Sequence, residues 1–533
     1  MKIDKFHIRS RFKNLENVSI NFAEASLMTV IVGLNGSGKS NVLEALVSIF
    51  RNLDLGESPP FSYALTYQLG DAHSDRWDEI EIDADPSRLG LSKQYQITIK
   101  KLKLYGAKKE LNAVENPKDP LPFSKVKRDP KSGVAPYLPK YLFAYYSGPS
   151  DRLESYFRKH RTDFYNKLLK NEVDLKGDIR PLFYAKPFHS QFVLLAFFLS
   201  AQEDNEKKFL RDELGIENLD SVHFVMRRPS WAKKKGELFW GAHGVVRKFL
   251  DELFPYALAP IKVTRGEDTT LTGSQIKNEF FHLFLPDVTS LRNFAKNLSP
   301  DELFKMLEST LLSEMISEVS VRVKITSTDE SLTFRELSEG EQQLLTVLGL
   351  LKFTGGKDSL FLLDEPDTHL NPSWAVKYLS FLERFVPNHE TSHLLMVTHH
   401  PLAIAELDRS QVQVMKRTLR EIPSPLADDN SSVMQRSQIT ASMPNESPRG
   451  MGINLILRSD MFGLKTTLDN KTNEKIIERN KLASKESLQG SELKKLDVLN
   501  EELDKLGFNF ISDDPDYTDF LNKKYHQKND EAK

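Results

Sequence analysis

The feature that most constrains this chain is a β-branched run, Thr29 to Val32, that passes directly into Gly33-Leu34-Asn35-Gly36-Ser37-Gly38-Lys39-Ser40 and then into an amphipathic segment, Asn41 to Phe50. The string satisfies G-x-x-x-x-G-K-[ST], and its context of strand, glycine-rich loop and helix converges backbone N–H groups on an anion. Each residue type has a physical task. Gly33, Gly36 and Gly38 let the backbone fold around phosphates, the helix N-terminus adds partial positive charge, Lys39 reaches the β- and γ-phosphates, and Ser40 offers a hydroxyl to Mg²⁺. A chance glycine turn before a helix accounts for a lone GxG better than for the whole string in this context. These residues predict an α/β P-loop head that takes ATP and Mg²⁺, with Asn35 and Ser37 completing the loop around the nucleotide.

Far downstream, the apolar run Leu360 to Leu363 ends in Asp364-Glu365, so a buried strand delivers two carboxylates at its tip. Asp364 suits Mg²⁺ coordination, and Glu365 suits polarisation of the attacking water. Such a pair could be only a strand terminus, but its coupling to the phosphate loop favours the chemical reading. Between the two lies Leu337-Ser338-Glu339-Gly340-Glu341-Gln342-Gln343 ahead of an apolar helical run. A helix start with free N–H groups suits phosphate contact, whereas Ser338 followed by Glu341 also fits an ordinary capping box; both readings hold together. After Glu365, the run His393 to Val397 gives another strand, ending at Thr398-His399-His400. A lone histidine at a strand end is more often structural, yet the order and distance after Asp364-Glu365 favour function for His399 over His400.

At 533 residues the chain can hold two or three compact units, or one large ATPase with an inserted lobe. Strand-like alternation fills 1–104, in IDKFHI, NVSINF, LMTVIVG, FSYALTYQL, DEIEIDAD and QYQITIKK, and makes this the first half of the head. A Lys-, Pro- and Asp-rich loop and the strand YLFAYYSG follow, and from about 151 apolar residues recur at intervals of three and four, as in Phe249, Leu250, Leu253 and Phe254. Residues 105–325 therefore read as an inserted, mainly helical lobe, and 326–420 as the second half of the head. The Ser-, Pro- and Asn-rich stretch 421–450 reads as a mobile linker, and 451–533 as a helical tail with helices at 470–485 and 491–507. In the second of these, Leu493, Leu496, Leu499, Leu503 and Leu506 fall along one side.

With a net charge of −2, no global pull toward nucleic acid is visible, so a polyanion site would have to be local. The absence of cysteine excludes disulfides and thiolate metal sites and suits a reducing cytoplasm. The N-terminus lacks the apolar core of a signal peptide, no run of about 18 apolar residues occurs, and Phe192 to Leu199 reads as a buried helix, so no membrane association is expected.

The ordered set GLNGSGKSN, LSEGEQQLL, FLLDEP and VTHHP resembles the ABC-type ATPase superfamily over roughly 1–104 and 320–410. The resemblance implies that Ser338 and Gly340 contact the γ-phosphate held by another copy, that His399 senses that phosphate, and that the heads form a homodimer or higher oligomer. Transporter motors usually carry a second glycine in the signature and an aspartate in the D-loop; Glu339 and Asn371 stand there instead. Asn41 follows the phosphate loop as in SMC- and RecF-like heads, which adds it to the nucleotide site; for a Gln-loop residue, Gln68 is only a weak candidate. The blocks YYSGPSDRLESYF, FHSQFVLLAFF, FWGAHGVV and RSDMFGLKTTLD resemble the anti-phage Septu ATPases (the PtuA family) and their retron-associated relatives. That implies a sensor or regulator of a separate HNH nuclease, PtuB in that family.

Two rivals stay open: a RecF-like DNA-repair ATPase, and an OLD-like ATPase with its own nuclease. The second needs carboxylates converging on metal at strand ends; Asp513, Asp514 and Asp516 superficially fit, but no strand ending in Glu-Gly precedes them after His399, so they read as a turn. The cations and aromatics of Arg227 to Lys235, with Phe239, Trp240, Arg247 and Lys248, could contact nucleic acid, although a solvated loop beside buried aromatics accounts for them more simply.

Overall fold

A computed structural model of the chain describes residues 1–22, 25–74, 76–105, 110–113, 120–130, 132–173, 180–201, 204–232, 237–268, 275–326, 331–423, 433–485 and 489–506. They form two units: Met1–Ile456 with Asp460–Phe462, and Leu457–Ser459 with the chain from Gly463 onward.

Short β-branched and leucine-rich runs with no polar face can be buried on both sides only in a parallel sheet covered by helices or a second sheet. Such a sheet centres the first unit, in the order Val433–Ser442, Val412–Pro423, Met28–Gly33, Ser392–Val397, Ser359–Asp364, Tyr141–Tyr146, Leu182–Tyr184. All neighbours are parallel except the first pair. Period-two alternation assigns each strand two partners. Leu360, Leu362, Leu395, Val397 and Ile31 pack with the helix that follows the phosphate loop, Lys39–Leu55, and with a six-stranded antiparallel sheet made mostly from 1–104. Phe361, Leu363, Leu394, Met396, Val30 and Val32 face the opposite core, built on the helices His189–Leu199, Pro300–Leu312, Glu339–Thr354 and Pro372–Phe385.

The strands expected in 1–104 all form, as does the buried helix around Phe192 to Leu199. The lobe at 105–325 differs from the mainly helical expectation. Tyr141–Tyr146 and Leu182–Tyr184 belong to the head sheet, and Leu258–Asp268, Gln275–Leu285, Ile216–Arg227 and Ile316–Ile325, with Ser331–Thr333, make a five-stranded antiparallel sheet. The reason is visible in Ile216–Arg227: register shifts against Ile316–Ile325, whose VSVRVKI stretch does read as a strand, break the period of two, so buried residues recur irregularly along it. Residues 421–450, read as a linker, contain Val433–Ser442, an edge strand on Val412–Pro423. An edge strand is held by backbone hydrogen bonds and needs few large apolar side chains; Ile439 enters the core, with Ala441 packed against it.

In the second unit the helices Asn470–Ala483 and Gly490–Lys505 lie against each other, tied by Lys475–Glu502 at 2.9 Å and by Lys495–Glu478. Of the leucines aligned by sequence, Leu499 and Leu503 are buried while Leu493 and Leu506 are exposed. Asp513, Asp514 and Asp516 lie outside the described residues. Among the described residues, no helix is long and apolar enough to cross a membrane.

One close approach fixes the helical side of the core. A Cβ at Gly349, on Glu339–Thr354, would stand 1.9 Å from Val193 Cγ2 on His189–Leu199. Gly349→Ala should therefore destabilise the protein by about 1–3 kcal/mol through overpacking, despite alanine's better helix propensity. Adding Val193→Ala should recover part of that loss in urea denaturation; strictly additive losses would rule the contact out.

Candidate functional site

The phosphate loop leaves the strand Met28–Gly33 at its C-terminal end, where open α/β sheets place their ligand crevices. Gly33, Gly36 and Gly38 all have positive φ, 145°, 79° and 89°. A Cβ at Gly33 would lie 2.3 Å from the Met415 carbonyl oxygen, and one at Gly38 would lie 2.7 Å from Leu15 Cδ2. Leu34, Asn35 and Gly36 form the exposed outer turn, whereas Ser37 and Lys39 are buried. Lys39 Nζ donates to the carbonyls of Gly33 at 2.7 Å and Leu34 at 3.3 Å, so the ammonium curls back under the loop. Burial lowers its pKa while Glu365 and Asp364 hold it up. Asn41 points elsewhere: its amide donates to Asn14 Oδ1 at 2.6 Å, and Asn14 Nδ2 in turn donates to the Gly36 carbonyl at 3.0 Å, bracing the loop from outside.

Opposite the loop, the strand Ser359–Asp364 is buried throughout and ends at Asp364. Ser40 Oγ donates to Asp364 Oδ1 at 2.8 Å, and Arg152 Nη2 donates to Oδ2 at 2.8 Å. The hydroxyl and carboxylate predicted to share a metal are thus brought together. Burial pushes the Asp364 carboxyl up to about 6, against Ser40 and Arg152, which favour the carboxylate. Glu365 follows with φ 53°, a left-handed conformation uncommon for a side chain of its size. Its N–H donates to the Val397 carbonyl at 2.8 Å, and its own carbonyl accepts from Thr368 Oγ1 at 2.8 Å and Gln343 Nε2 at 3.4 Å. The Glu365 carboxylate stands 3.3 Å from His399 Nδ1, which joins the two predicted catalytic groups. His400 is set apart: its Nδ1 is buried without a hydrogen-bond partner. His393 is structural, buried between the Ile3 N–H at 2.9 Å and Thr29 Oγ1 at 3.2 Å.

Ser338 caps the helix Glu339–Thr354, and the capping box with Glu341 is complete. Gly340 has a reason within its own chain, because a Cβ there would lie 2.5 Å from the His369 carbonyl oxygen. Among the described residues no hydrogen bond or ion pair joins Ser338 or Gly340 to the phosphate loop.

The donor set suits a nucleotide with a divalent cation. Among the described residues Ser37 Oγ is buried in the loop with no hydrogen-bond partner, a hydroxyl left open where a glycine-rich loop would receive an anion. The cation would find only oxygen ligands, Ser40 and Asp364, as Mg²⁺ prefers. Sequence reasoning missed Arg152, which lies within a quoted block but shows no spacing signal. It also missed the buried Asp367, which accepts from Thr398 Oγ1 at 2.7 Å, and Gln343, whose Oε1 accepts from the His369 N–H at 3.1 Å.

The described cations of the basic patch are engaged within the fold. Arg227 and Arg228 donate to the Glu314 and Ala232 carbonyls, Trp231 to Ser313 and Trp240 to Glu279, while Arg247 pairs with Asp251. Lys233 to Lys235 lie outside the described residues.

Fold and site define the class, a P-loop ATPase. Two family models match: "AAA ATPase domain" over residues 1–220 and "AAA domain, putative AbiEii toxin, Type IV TA system" over 186–405. Among curated proteins the chain is similar to Septu protein PtuA of Bacillus mycoides, 23% identical over 211 residues; the match covers 37% of this chain and 27% of that one. Solved structures matched include the SMC head domain from Thermotoga maritima (12% identity, 78% of this chain and 95% of that chain, TM-score 0.27) and Stu0660 of Streptococcus thermophilus (13% identity, 98% and 99%, TM-score 0.26). At TM-scores this low neither likeness carries the assignment, which rests on the site and the family models.

Burial raises Asp367 to about 6, with the Thr398 hydroxyl opposing. A carboxyl raised this way keeps its proton in the folded chain between pH 3.8 and about 6, where the unfolded chain has released it. Stability therefore falls as pH rises through that window. Asp367→Asn, which mimics the protonated form, should stabilise the protein at pH 7.5 by about 1–3 kcal/mol, and the gain should fade toward pH 4. Denaturation at both pH values checks this; a destabilised variant at pH 7.5 would overturn it.

Proposed function

We propose that the chain binds ATP with Mg²⁺ and hydrolyses it, that two heads share each nucleotide, and that this cycle regulates a partner nuclease of the HNH kind in defence against phage. The observation that carries the hydrolytic core is the convergence of Ser40 and Arg152 on Asp364, with Glu365 and His399 paired beside it. The likeness to PtuA supports the defence role and the nuclease partner. The reading places the chain in the cytoplasm, leaves cleavage to the partner, and includes no membrane.

In this mechanism the loop N–H groups and Lys39 hold the phosphates, and Ser37 fills its open hydrogen bond on them. Ser40 and Asp364 would hold Mg²⁺, which when bound neutralises phosphate charge and fixes the oxygens for in-line displacement. Glu365 takes a proton from the attacking water, and His399, on the same carboxylate, orients it and answers to the γ-phosphate. Ser338 and Gly340 act on the nucleotide of the opposite head, where a capped helix N-terminus faces the phosphate.

Lys39→Ala should abolish nucleotide binding, because it removes the phosphate's cation. Glu365→Gln should keep binding and slow turnover by roughly 10²–10⁴, the usual contribution of a positioned base. Near-normal turnover in both variants would overturn the site.

Mixing tests the shared site. Lys39→Ala and Ser338→Arg chains, each inactive alone, should together recover up to about a quarter of the wild-type rate, since half of randomly paired dimers are mixed and each holds one intact site of two. No recovery despite proven mixed dimers would argue for sites built within one chain.

A further inference from the structure

Outside the nucleotide site, a cavity of about 470 Å³ opens between the helix Arg158–Leu169, the strand Leu182–Tyr184 and the C-terminal end of Pro300–Leu312. Its described walls combine three cations, Arg161, Arg180 and Lys186, and two carboxylates, Glu308 and Glu314, with the rings of Tyr165, Tyr184 and Phe188. A concave, largely apolar site with a few convergent polar groups is the usual form of a small-molecule pocket, and this volume falls in the usual range.

Two features set it apart from an ordinary surface cleft. Arg180 is 7% exposed, and its Nη2 donates to Glu308 at 2.8 Å while Nη1 has no hydrogen-bond partner among the described residues. Such an unmet guanidinium nitrogen is costly to leave in place. The Glu308 end, by contrast, is complete. The Lys186 N–H donates to His189 Nδ1 at 2.8 Å, so Nε2 carries the ring proton that meets Glu308 at 2.7 Å. Burial alone would raise the Glu308 carboxyl, but His189 and Arg180 outweigh it and hold it at about 2. At the rim, Arg161 and Lys186 share one oxygen of Glu154, at 2.8 and 2.6 Å. Two cations on one carboxylate leave one positive charge in excess at this rim; Glu314, the other carboxylate of the lining, is engaged by the Ser230 N–H and hydroxyl.

Glu154 also connects the cavity to the nucleotide site. It lies two residues after Arg152, whose guanidinium holds Asp364. Tyr184, in the cavity wall, pairs with Ala144, which pairs with Leu362 on the strand that ends at Asp364.

We propose that this cavity is a second ligand site for a small aromatic anion, a ring bearing a phosphate or carboxylate, and that its occupancy is read at the nucleotide site through the Arg152-Leu153-Glu154 turn. The ring lies among the aromatic side chains and the anion draws Arg161 and Lys186 away from Glu154. That shifts the turn that grips Asp364. The coupling rests on the nucleotide site proposed above; the binding does not.

Phenyl phosphate is a suitable probe, with inorganic phosphate and phenol as its separate halves, followed by ligand-observed NMR on the full chain. Phenyl phosphate should bind at least tenfold tighter than either half. Leu312→Trp, which fills the cavity, and Arg161→Ala should each weaken it at least tenfold, while Lys39→Ala leaves it unchanged. Should Leu312→Trp not fold, Arg161→Ala decides. Binding that survives in the cavity variants, binding lost in Lys39→Ala, or no binding by phenyl phosphate overturns the site. Saturating phenyl phosphate should shift ATP affinity at least threefold in the wild type and not in Glu154→Gln; an unshifted affinity overturns the coupling. A wild-type chain that binds phenyl phosphate but no ATP would sink the nucleotide reading and leave the cavity standing.

Discussion

A single carboxylate at the dry end of a buried strand is the constraint on which the head depends. Asp364 closes Ser359–Asp364, in which every residue is buried, and leaving its charge unpaired there would be costly. Both oxygens are taken, one by Ser40 from the phosphate-loop helix and one by Arg152 from the turn after a neighbouring strand. The sheet register makes this meeting possible, since Asp364 stands opposite Tyr146 on one side and Val397 on the other. A slip of one residue would exchange the faces of Leu362 and Leu363 and turn the carboxylate away from the loop. The two apolar cores therefore set the site's geometry, through the alternation of ordinary leucines and phenylalanines.

A second set of contacts ties the helix Glu339–Thr354 to the segment after Glu365. Gln343 reaches the Glu365 carbonyl with its amide nitrogen and the His369 N–H with its oxygen, and Gly340 allows the His369 carbonyl to come against the helix. These bonds, with those from Thr368 and to Val397, hold Glu365 in its left-handed conformation. Backbone strain of that kind persists only where surrounding structure over-determines it. The capped helix start and the carboxylate beside His399 are accordingly tied to each other by direct contacts. That is the mechanical requirement if a helix N-terminus is to act on one nucleotide while Glu365 acts on another.

How much of this was legible in the sequence follows from the range of each interaction. The phosphate loop, the acidic strand end and His399 are local strings whose spacing carries the chemistry, and the structure brings Ser40 to Asp364 and His399 to Glu365. Asn41 was assigned to the nucleotide by its place in a string, yet its side chain goes to Asn14, a partner in no motif. Arg152 was invisible for the same reason, because its contact with Asp364 spans 212 residues and depends on strand register. Apart from VSVRVKI, which reads as a strand, the five-stranded sheet was misread as helix where register shifts spoil the two-residue period, and Val433–Ser442 was misread as linker because backbone pairing leaves little trace in composition. Backbone strain at Glu365 has no sequence signal at all.

Arg152 has two acidic neighbours. Beyond Asp364 at 2.8 Å, its Nε lies 3.5 Å from Glu44 Oε1 on the phosphate-loop helix, and its guanidinium sits 4.7 Å over the Tyr146 ring. Glu44 is buried, paired through its other oxygen with Lys13, and its Oε1 has no hydrogen-bond partner. A guanidinium between two buried carboxylates can serve both at once, with Nη2 on Asp364 and Nε toward Glu44 Oε1, an acceptor short of a donor. The turn that carries Arg152 is therefore tied to both carboxylates, so a shift of the turn is felt at Asp364 and Glu44 together. Glu154, two residues on, draws the same turn toward Arg161 and Lys186, so the position of this short segment is set by charges at both of its ends.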